Sequence, residues 1–156
     1  MDINEFLSDN ARNMKPSPIR ALLNVVNQPG IISFAGGFPN PLSFPVEEIK
    51  QIMNEVLDEE GVKALQYGGT DGNVKLREEI SKRYIKQGLD IDKDNIIITT
   101  ASQQAIDLTA RIFVNPGDTV VCGLPSYLGA LQAFNSYRAN IVGAEKDEEL
   151  EAVVRA

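Results

Sequence analysis

Histidine is absent from the 156 residues, and only one cysteine is present. Without histidine, these residues cannot form a Ser-His-Asp or Cys-His catalytic set, or an imidazole metal site. Cys122 alone rules out an internal disulfide and a multi-thiolate zinc site, and its apolar neighbours favour a buried, inert thiol. If the protein does chemistry, a cofactor or residues outside this sequence must supply the reactive group.

Long apolar runs and excess positive charge are also missing. No apolar run approaches the length of a membrane-spanning helix, and residues 1–5 lack the basic and apolar regions of a signal peptide. The net charge of -7 argues against nucleic acid as the main partner, because binding a phosphate backbone requires clustered Lys and Arg. We therefore expect a soluble cytoplasmic protein with neither a nucleic-acid nor a membrane partner.

The glycine-rich nucleotide-binding motifs are not found either. The strand-to-helix junction "TTASQQAID" has no glycine where G-x-G-x-x-G needs several, and no G-x-x-x-x-G-K-[ST] loop occurs. "YGGTDG" (67–72) is rich in glycine but follows no apolar strand, so it is weak evidence for a nucleotide loop. A phosphate that belongs to a smaller cofactor remains possible.

From residue 95 onward, apolar strands alternate with amphipathic helices. The pattern predicts strands at 96–100, 119–123 and 140–144, helices at 103–113 and 127–137, and a turn at 115–118. "IIIT" and "TVVC" are apolar without alternation, which is typical of strands covered on both faces. These features predict an α/β fold with a mostly parallel sheet and flanking helices.

The first 94 residues predict helices separated by loops. We expect an N-terminal arm, a helix that begins at Ser17-Pro18, a short strand at 31–34 and a loop at 35–45. Two further helices are predicted, from Pro45 to Gly61 and from an Asp71 cap to Gly88. The last residues predict a helix that is just beginning, without a closing element, which suggests a fragment.

Ser102 and Tyr127 follow two predicted parallel strands, at the edge where ligands gather. The Ser102 hydroxyl and the amides of Gln103 and Gln104 are suited to a phosphate, although Ser102 as a simple helix cap is an alternative. Tyr127 is suited to stacking on a flat ring, and packing in the core or at its rim is the alternative. Together they fit a phosphorylated aromatic cofactor.

Several segments resemble the class I/II aminotransferases: "ISFAGGFPNPLSFP", "LQYGGTDGNVKLREEI", "ITTASQQAIDLTARIFVNPGDTVV" and "LPSYLGALQAF". These are pyridoxal-phosphate (PLP) enzymes of fold type I, and the resemblance is closest to the 2-aminoadipate/kynurenine branch. It implies that the chain is the N-terminal part of such an enzyme. Residues 1–44 would form an arm and a small-domain segment, and residues 45–156 the opening, incomplete part of the large PLP-binding domain.

The resemblance also implies roles for individual residues. Ser102 and Gln103 match the positions that hold the cofactor phosphate, and Tyr127 matches the aromatic residue that stacks on its ring. Tyr67 matches a tyrosine that reaches the phosphate in the neighbouring subunit, which implies a homodimer with a shared active site.

The resemblance places three residues at the substrate. Gly37 matches a glycine whose backbone approaches the substrate carboxylate, although a tight turn would also explain a glycine. Ser17 and Arg20 match a pair that contacts the distal end of the substrate, and they lie one helical turn apart. A guanidinium suits a carboxylate, whereas a solvated surface arginine is the alternative.

The implied reaction is transfer of an amino group between an amino acid and a 2-oxo acid. The family's Schiff-base lysine is expected beyond residue 156, so no catalytic residue is assigned within this sequence. Residues 1–156 alone are therefore expected to be inactive. Without the later strands of the sheet, they are also expected to be unstable or aggregated. The alternatives are an aminotransferase-like sensor domain of a transcription regulator, another fold type I enzyme such as a lyase or decarboxylase, and a non-catalytic relative. Because Met1 leads directly into the arm, the regulator is ranked low.

Overall fold

The computed structural model describes residues 2–14, 30–32, 34, 37 and 39–155. The chain divides into two units, one formed by residues 1–16 with 99–156 and the other by residues 17–98. The helices and strands of the described residues are α1 (Asp9–Asn13), α2 (Val46–Ala64), α3 (Val74–Lys86), α4 (Ala101–Phe113), β1 (Thr119–Gly123), α5 (Leu128–Ser136), β2 (Asn140–Ala144) and α6 (Asp147–Arg155). Short 3₁₀ turns occupy Ile3–Phe6, Pro41–Ser43 and Lys93–Asn95.

The unit that contains residues 99–156 is built on a two-stranded parallel sheet. β1 and β2 pair in register from Thr119 opposite Asn140 to Gly123 opposite Ala144. The two strands are connected through α5, α4 packs against α5, and α6 packs against β1. The predicted strands at 119–123 and 140–144, the helices around them and the α/β fold class are confirmed.

The turn before β1 has the predicted form. The Asp118 amide donates to the Asn115 carbonyl at 3.0 Å, and the Asn115 amide donates to Asp118 Oδ2 at 2.7 Å. Gly117 has a φ of 92°, a left-handed conformation that glycine adopts without steric cost. Its amide donates to the Arg138 carbonyl at 2.9 Å, so the turn also fixes the entry to β2.

The predicted strand at 96–100 is wrong. Residues 96–99 lie in neither helix nor strand, although Ile96 is extended (φ -118°, ψ 129°), and Ile97 is 67% exposed. Extended backbone becomes a strand only when it pairs with another, and β1 pairs with β2 alone in the described residues. The strand predicted at 31–34 is not found either: its described residues, 31, 32 and 34, lie in no strand.

Two predicted helix ends also need correction. α2 continues past Gly61 to Ala64, with a kink at Glu60 (φ -129°, ψ 19°). The cap of α3 is Asn73 and not Asp71, because Asn73 Oδ1 accepts the Leu76 amide at 3.1 Å. The predicted stop at Gly88 is confirmed by its φ of 84° directly after the helix. The helix predicted from Ser17-Pro18 lies outside the described residues.

Apolar burial is sparse in the described residues. The buried hydrophobic side chains are the small ones of Ala110, Ala133 and Ala144. The large apolar side chains of α2, from Val46 to Val62, are 45% to 90% exposed. The instability expected of residues 1–156 alone, like the domain boundary at residue 44, stays a prediction. No helix in the described ranges is long and apolar enough to cross a membrane.

Candidate functional site

The start of α4 leaves backbone donors unpaired within the helix. α4 begins at Ala101 with Thr100 as its N-cap, and no side chain caps its first turn. The Thr100 amide instead donates to Gln104 Oε1. The following amides have no intrahelical acceptor, as at every helix start, and the first turn contains no acidic side chain. This end of α4 is therefore a donor-rich, electropositive surface.

Ala101 gives this junction an unusual backbone. Its φ is 57°, in the left-handed region that costs a non-glycine residue about 1–2 kcal/mol. The Thr99 hydroxyl donates to the Ala101 carbonyl at 3.1 Å and supports the conformation. Strained residues persist where the surrounding structure imposes them, and they cluster at ligand sites.

The structure places Ser102 and Gln103 in the first turn of α4. Ser102 lies two residues after the N-cap and is exposed, so the alternative that it caps the helix is wrong. Gln103 Nε2 donates to the Gly129 carbonyl of α5 at 3.0 Å. This bond ties the first turn of α4 to the first turn of α5.

Tyr127 stands at the start of α5, where it is the N-cap and 63% exposed. The loop that carries it continues from β1: the Leu124 amide donates to the Ala144 carbonyl at 2.8 Å, and the Ser126 hydroxyl donates to the Gly123 carbonyl. The Tyr127 side chain thus emerges at the carboxyl end of β1, as the sequence predicts.

Gly129 brings Gln103 and Tyr127 together. A Cβ atom at Gly129 would lie 2.5 Å from Tyr127 Cε1 and 2.6 Å from Tyr127 Cζ, and it would also meet the Gln103 carboxamide. The absence of a side chain at Gly129 is what lets both groups lie against α5. Sequence reasoning missed this residue, and the only signal was a glycine two positions after Tyr127 in a helix.

The end of α5 is also linked to the middle of α4. The Tyr137 hydroxyl donates to Asp107 Oδ1 at 3.2 Å, between α5 and α4. Partial burial, together with the nearby Asp107 carboxylate, raises the pKa of Tyr137 above its ordinary value, so the phenol stays protonated at neutral pH. The relative placement of α4 and α5 is therefore fixed at two points, the first turn of both helices and the contact between Tyr137 and Asp107.

The remaining predicted site residues belong to the other unit or lie outside the described residues. Tyr67 lies in the loop after α2, in the other unit, where its side chain is 100% exposed. Gly37 has a φ of 61°, and a Cβ atom there would have nothing within 4 Å. Ser17 and Arg20 lie outside the described residues. No cluster of three or more His, Cys, Asp or Glu suited to a metal ion occurs in the described ranges.

Comparison with known proteins identifies the family. A model of the family "Aminotransferase class I and II" matches residues 30–152. The chain belongs to the class I and II aminotransferase family. The resemblance drawn from the sequence motifs is thereby confirmed.

Individual aminotransferases agree with this assignment. The chain is 44% identical to the aromatic-amino-acid aminotransferase 1 of Thermococcus litoralis, over 96% of the chain and 36% of that protein. A similar solved structure is that of Pyrococcus horikoshii kynurenine aminotransferase in complex with PMP and with kynurenine as substrate. It superposes on the chain with a TM-score of 0.86 and 43% identity, over 99% of the chain and 40% of that structure.

A second solved structure is an alpha-aminoadipate aminotransferase. This Thermus thermophilus enzyme, complexed with N-(5'-phosphopyridoxyl)-L-leucine, has a TM-score of 0.83 and 35% identity, over 99% of the chain and 39% of that structure. The chain thus has the fold of the N-terminal part of a fold type I aminotransferase, and it spans 36% to 40% of the length of these relatives.

Proposed function

We propose that the whole protein is a PLP-dependent aminotransferase that transfers an amino group between an amino acid and a 2-oxo acid. The observation that carries the proposal is the uncapped start of α4, held beside Tyr127 through the bond from Gln103 to Gly129. The family membership and the cofactor-containing aminotransferases among its relatives support the same activity.

The start of α4 fits the phosphate of PLP. A phosphate dianion would accept hydrogen bonds from the first amides of α4, that of Gln103 among them, and from the Ser102 hydroxyl. The helix dipole adds attraction, and no carboxylate in the first turn opposes it.

Tyr127 fits the ring of the same cofactor. Its exposed aromatic side chain offers a face for offset stacking, worth about 0.5–1.5 kcal/mol beyond burial. When bound, PLP supplies an electron-withdrawing ring that stabilises negative charge at the amino-acid α-carbon. Ser102, Gln103 and Tyr127 would anchor and orient the cofactor but would not transfer protons themselves.

Further residues are proposed at the cofactor and substrate on the strength of the family resemblance. Tyr67 would reach the phosphate bound by a second subunit, in a homodimer. Gly37 would approach the substrate carboxylate, and Ser17 with Arg20 would contact the distal end of the substrate. Arg20 suits acidic side chains such as that of 2-aminoadipate, whereas aromatic or aliphatic substrates would require it to move aside.

Residues 1–156 alone are proposed to be inactive. Transamination would need a lysine to hold the cofactor, and amines are poor nucleophiles when protonated. Lys75, Lys82 and Lys93 have their pKa raised, each chiefly by a hydrogen bond to a neighbouring carboxylate. None of the lysines matches the family's Schiff-base position. A cytoplasmic location is also proposed.

A spectroscopic titration of the whole protein tests the activity. With PLP bound, we expect a visible absorption band that is lost on adding an amino acid and restored by a 2-oxo acid. Ser102→Ala should weaken PLP binding, with the exposed Ser43→Ala as the matched control. A band that no amino acid in a panel of acidic, aromatic and aliphatic types alters would instead support a sensor domain or a non-catalytic relative. Loss of the band with release of a decarboxylated or eliminated product would support a lyase or decarboxylase.

A further inference from the structure

Arg77 is a buried charged residue in α3, with its side chain 7% exposed. Its Nη2 atom lies 2.6 Å from Asp71 Oδ2. Its Nη1 atom donates to the Lys93 carbonyl at 3.1 Å and lies 3.6 Å from Asp94 Oδ1. A charge buried to this degree is stable only when its partners are held in place, so the guanidinium and its partners constrain one another.

These partners belong to two separate segments of the chain. Asp71 lies near the end of the loop 65–72, which carries Tyr67, whereas Lys93 and Asp94 precede the segment 96–99. Arg77 therefore binds both segments from one position on α3. The guanidinium is suited to this role because it is planar and directs its donors in fixed directions, which a lysine ammonium does not.

The same two segments also contact each other directly. The Ile98 amide donates to the Asp71 carbonyl at 3.0 Å, and the Gly72 amide donates to the Gly69 carbonyl at 3.0 Å. Gly72 has a φ of 94°, and a Cβ atom there would lie 2.6 Å from Ile98 Cβ. The end of the loop is thus pressed onto Ile98 with no room for a side chain.

A second buried polar group of α3 supports this contact. The hydroxyl of Ser81, which lies one turn beyond Arg77, donates to the Ile91 carbonyl at 2.7 Å. α3 therefore holds the stretch before Ile98 at two points, but only Arg77 also reaches the loop. Arg77 therefore adds a side-chain link between the loop and that stretch to the direct bond from Ile98 to Asp71.

We infer that Arg77 is a positioning residue for the cofactor site: by joining Asp71 to the Lys93 carbonyl, it fixes the conformation of the loop that presents Tyr67. The inference rests on the proposed function, because Tyr67 is a cofactor residue only if the whole protein binds PLP. Arg77 itself is buried within α3 and its neighbours, so its influence passes through the loop.

Hydrogen–deuterium exchange on the whole protein without PLP tests the clamp itself. In Arg77→Lys, we expect the amides of Gly72 and Ile98 to exchange faster by roughly tenfold or more, the factor that losing one charge-assisted hydrogen bond corresponds to. Arg83→Lys, an exposed position in the last turn of α3, is the matched control and should leave both amides unchanged. Unchanged exchange in Arg77→Lys would overturn the inference.

A double-mutant cycle on PLP affinity tests the link to the site. Arg77→Lys should raise the Kd for PLP in the wild-type background, and most of this effect should disappear when Tyr67 is already replaced by Phe. Additive effects of the two substitutions would mean that Arg77 does not act through Tyr67. If Arg77→Lys does not fold, Asp71→Asn probes the same contact and leaves the bond to the Lys93 carbonyl intact.

The two proposals fail in different ways. A wild-type protein that binds no PLP overturns the proposed function and the cofactor role of Arg77 with it. Normal PLP binding with an additive cycle overturns only the role assigned to Arg77.

Discussion

Replacing Gly129 with alanine perturbs the side chains of both Gln103 and Tyr127 through one methyl group. The added Cβ would lie 2.5 Å from Tyr127 Cε1 and would also meet the Gln103 carboxamide. Carbon atoms in favourable contact lie about 3.5–4.0 Å apart, so both side chains must move. Both belong to the outer parts of rotatable side chains, and the backbone of α5 can therefore stay in place.

The opposing contributions to stability nearly cancel. Gln103 must leave the Gly129 carbonyl, to which it donates at 3.0 Å, and such a bond contributes about 0.5–1.5 kcal/mol net. Alanine in a helix is favoured over glycine by roughly 0.8–1.0 kcal/mol. We therefore expect the free energy of unfolding of Gly129→Ala to stay within about 1 kcal/mol of the wild-type value.

Cofactor binding should change even though stability does not. A displaced Tyr127 loses its stacking contribution of about 0.5–1.5 kcal/mol, which corresponds to a rise of roughly 2- to 10-fold in the Kd for PLP. Urea unfolding and a PLP titration monitored by absorbance, both on the whole protein, measure the two quantities separately.

Gly61→Ala is the matched control. Gly61 also lies within a helix, and a Cβ atom there has nothing within 4 Å. It should gain about 0.5–1 kcal/mol in stability and leave the Kd for PLP unchanged. A wild-type Kd in Gly129→Ala would refute the assignment of Tyr127 to the site. A loss of stability far beyond about 1 kcal/mol would show that the backbone had moved as well.

Two further predictions concern the unit formed by residues 17–98. Asn73→Ala removes the acceptor of the Leu76 amide, so it should lower the free energy of unfolding by about 1 kcal/mol in chemical denaturation. Asn73→Asp keeps an acceptor and should not lower it. Equal stability of wild type and both variants would contradict the assignment of Asn73 as the cap. The pKa of Glu60 is lowered below 4.5, first by the hydrogen bond from Lys75 and then by the charge of Lys63. The stability that ionised Glu60 contributes is therefore complete above pH 4.5 and is lost as the pH falls through the lowered pKa. The difference in Tm between wild type and Glu60→Gln should accordingly be constant above pH 4.5 and shrink below it, and a difference that persists in acid would exclude the pairing.

Local chemistry made several parts of the fold predictable. The valine pair of "TVVC" and the turn at Asn115–Asp118 depend on residues next to one another, so β1, its turn and the stop at Gly88 follow from sequence. The family, too, could be recognised from short motifs in a fixed order, which family comparison confirmed. The roles of Ser102, Gln103, Tyr127 and Tyr67 stay predictions, because they depend on a bound cofactor and a second subunit.

Pairing and packing between distant residues were decided only by the tertiary structure. The apolar run at 96–100 has the composition of a strand, yet it does not pair with β1 or β2. Gln103 bonds to Gly129, 26 residues away in sequence, and Arg77 bonds to Lys93, 16 residues away. No spacing rule relates residues this far apart. Composition and periodicity describe which groups a segment offers along its own length. Whether those groups find a partner depends on where the rest of the chain lies, and that information is contained only in the folded arrangement.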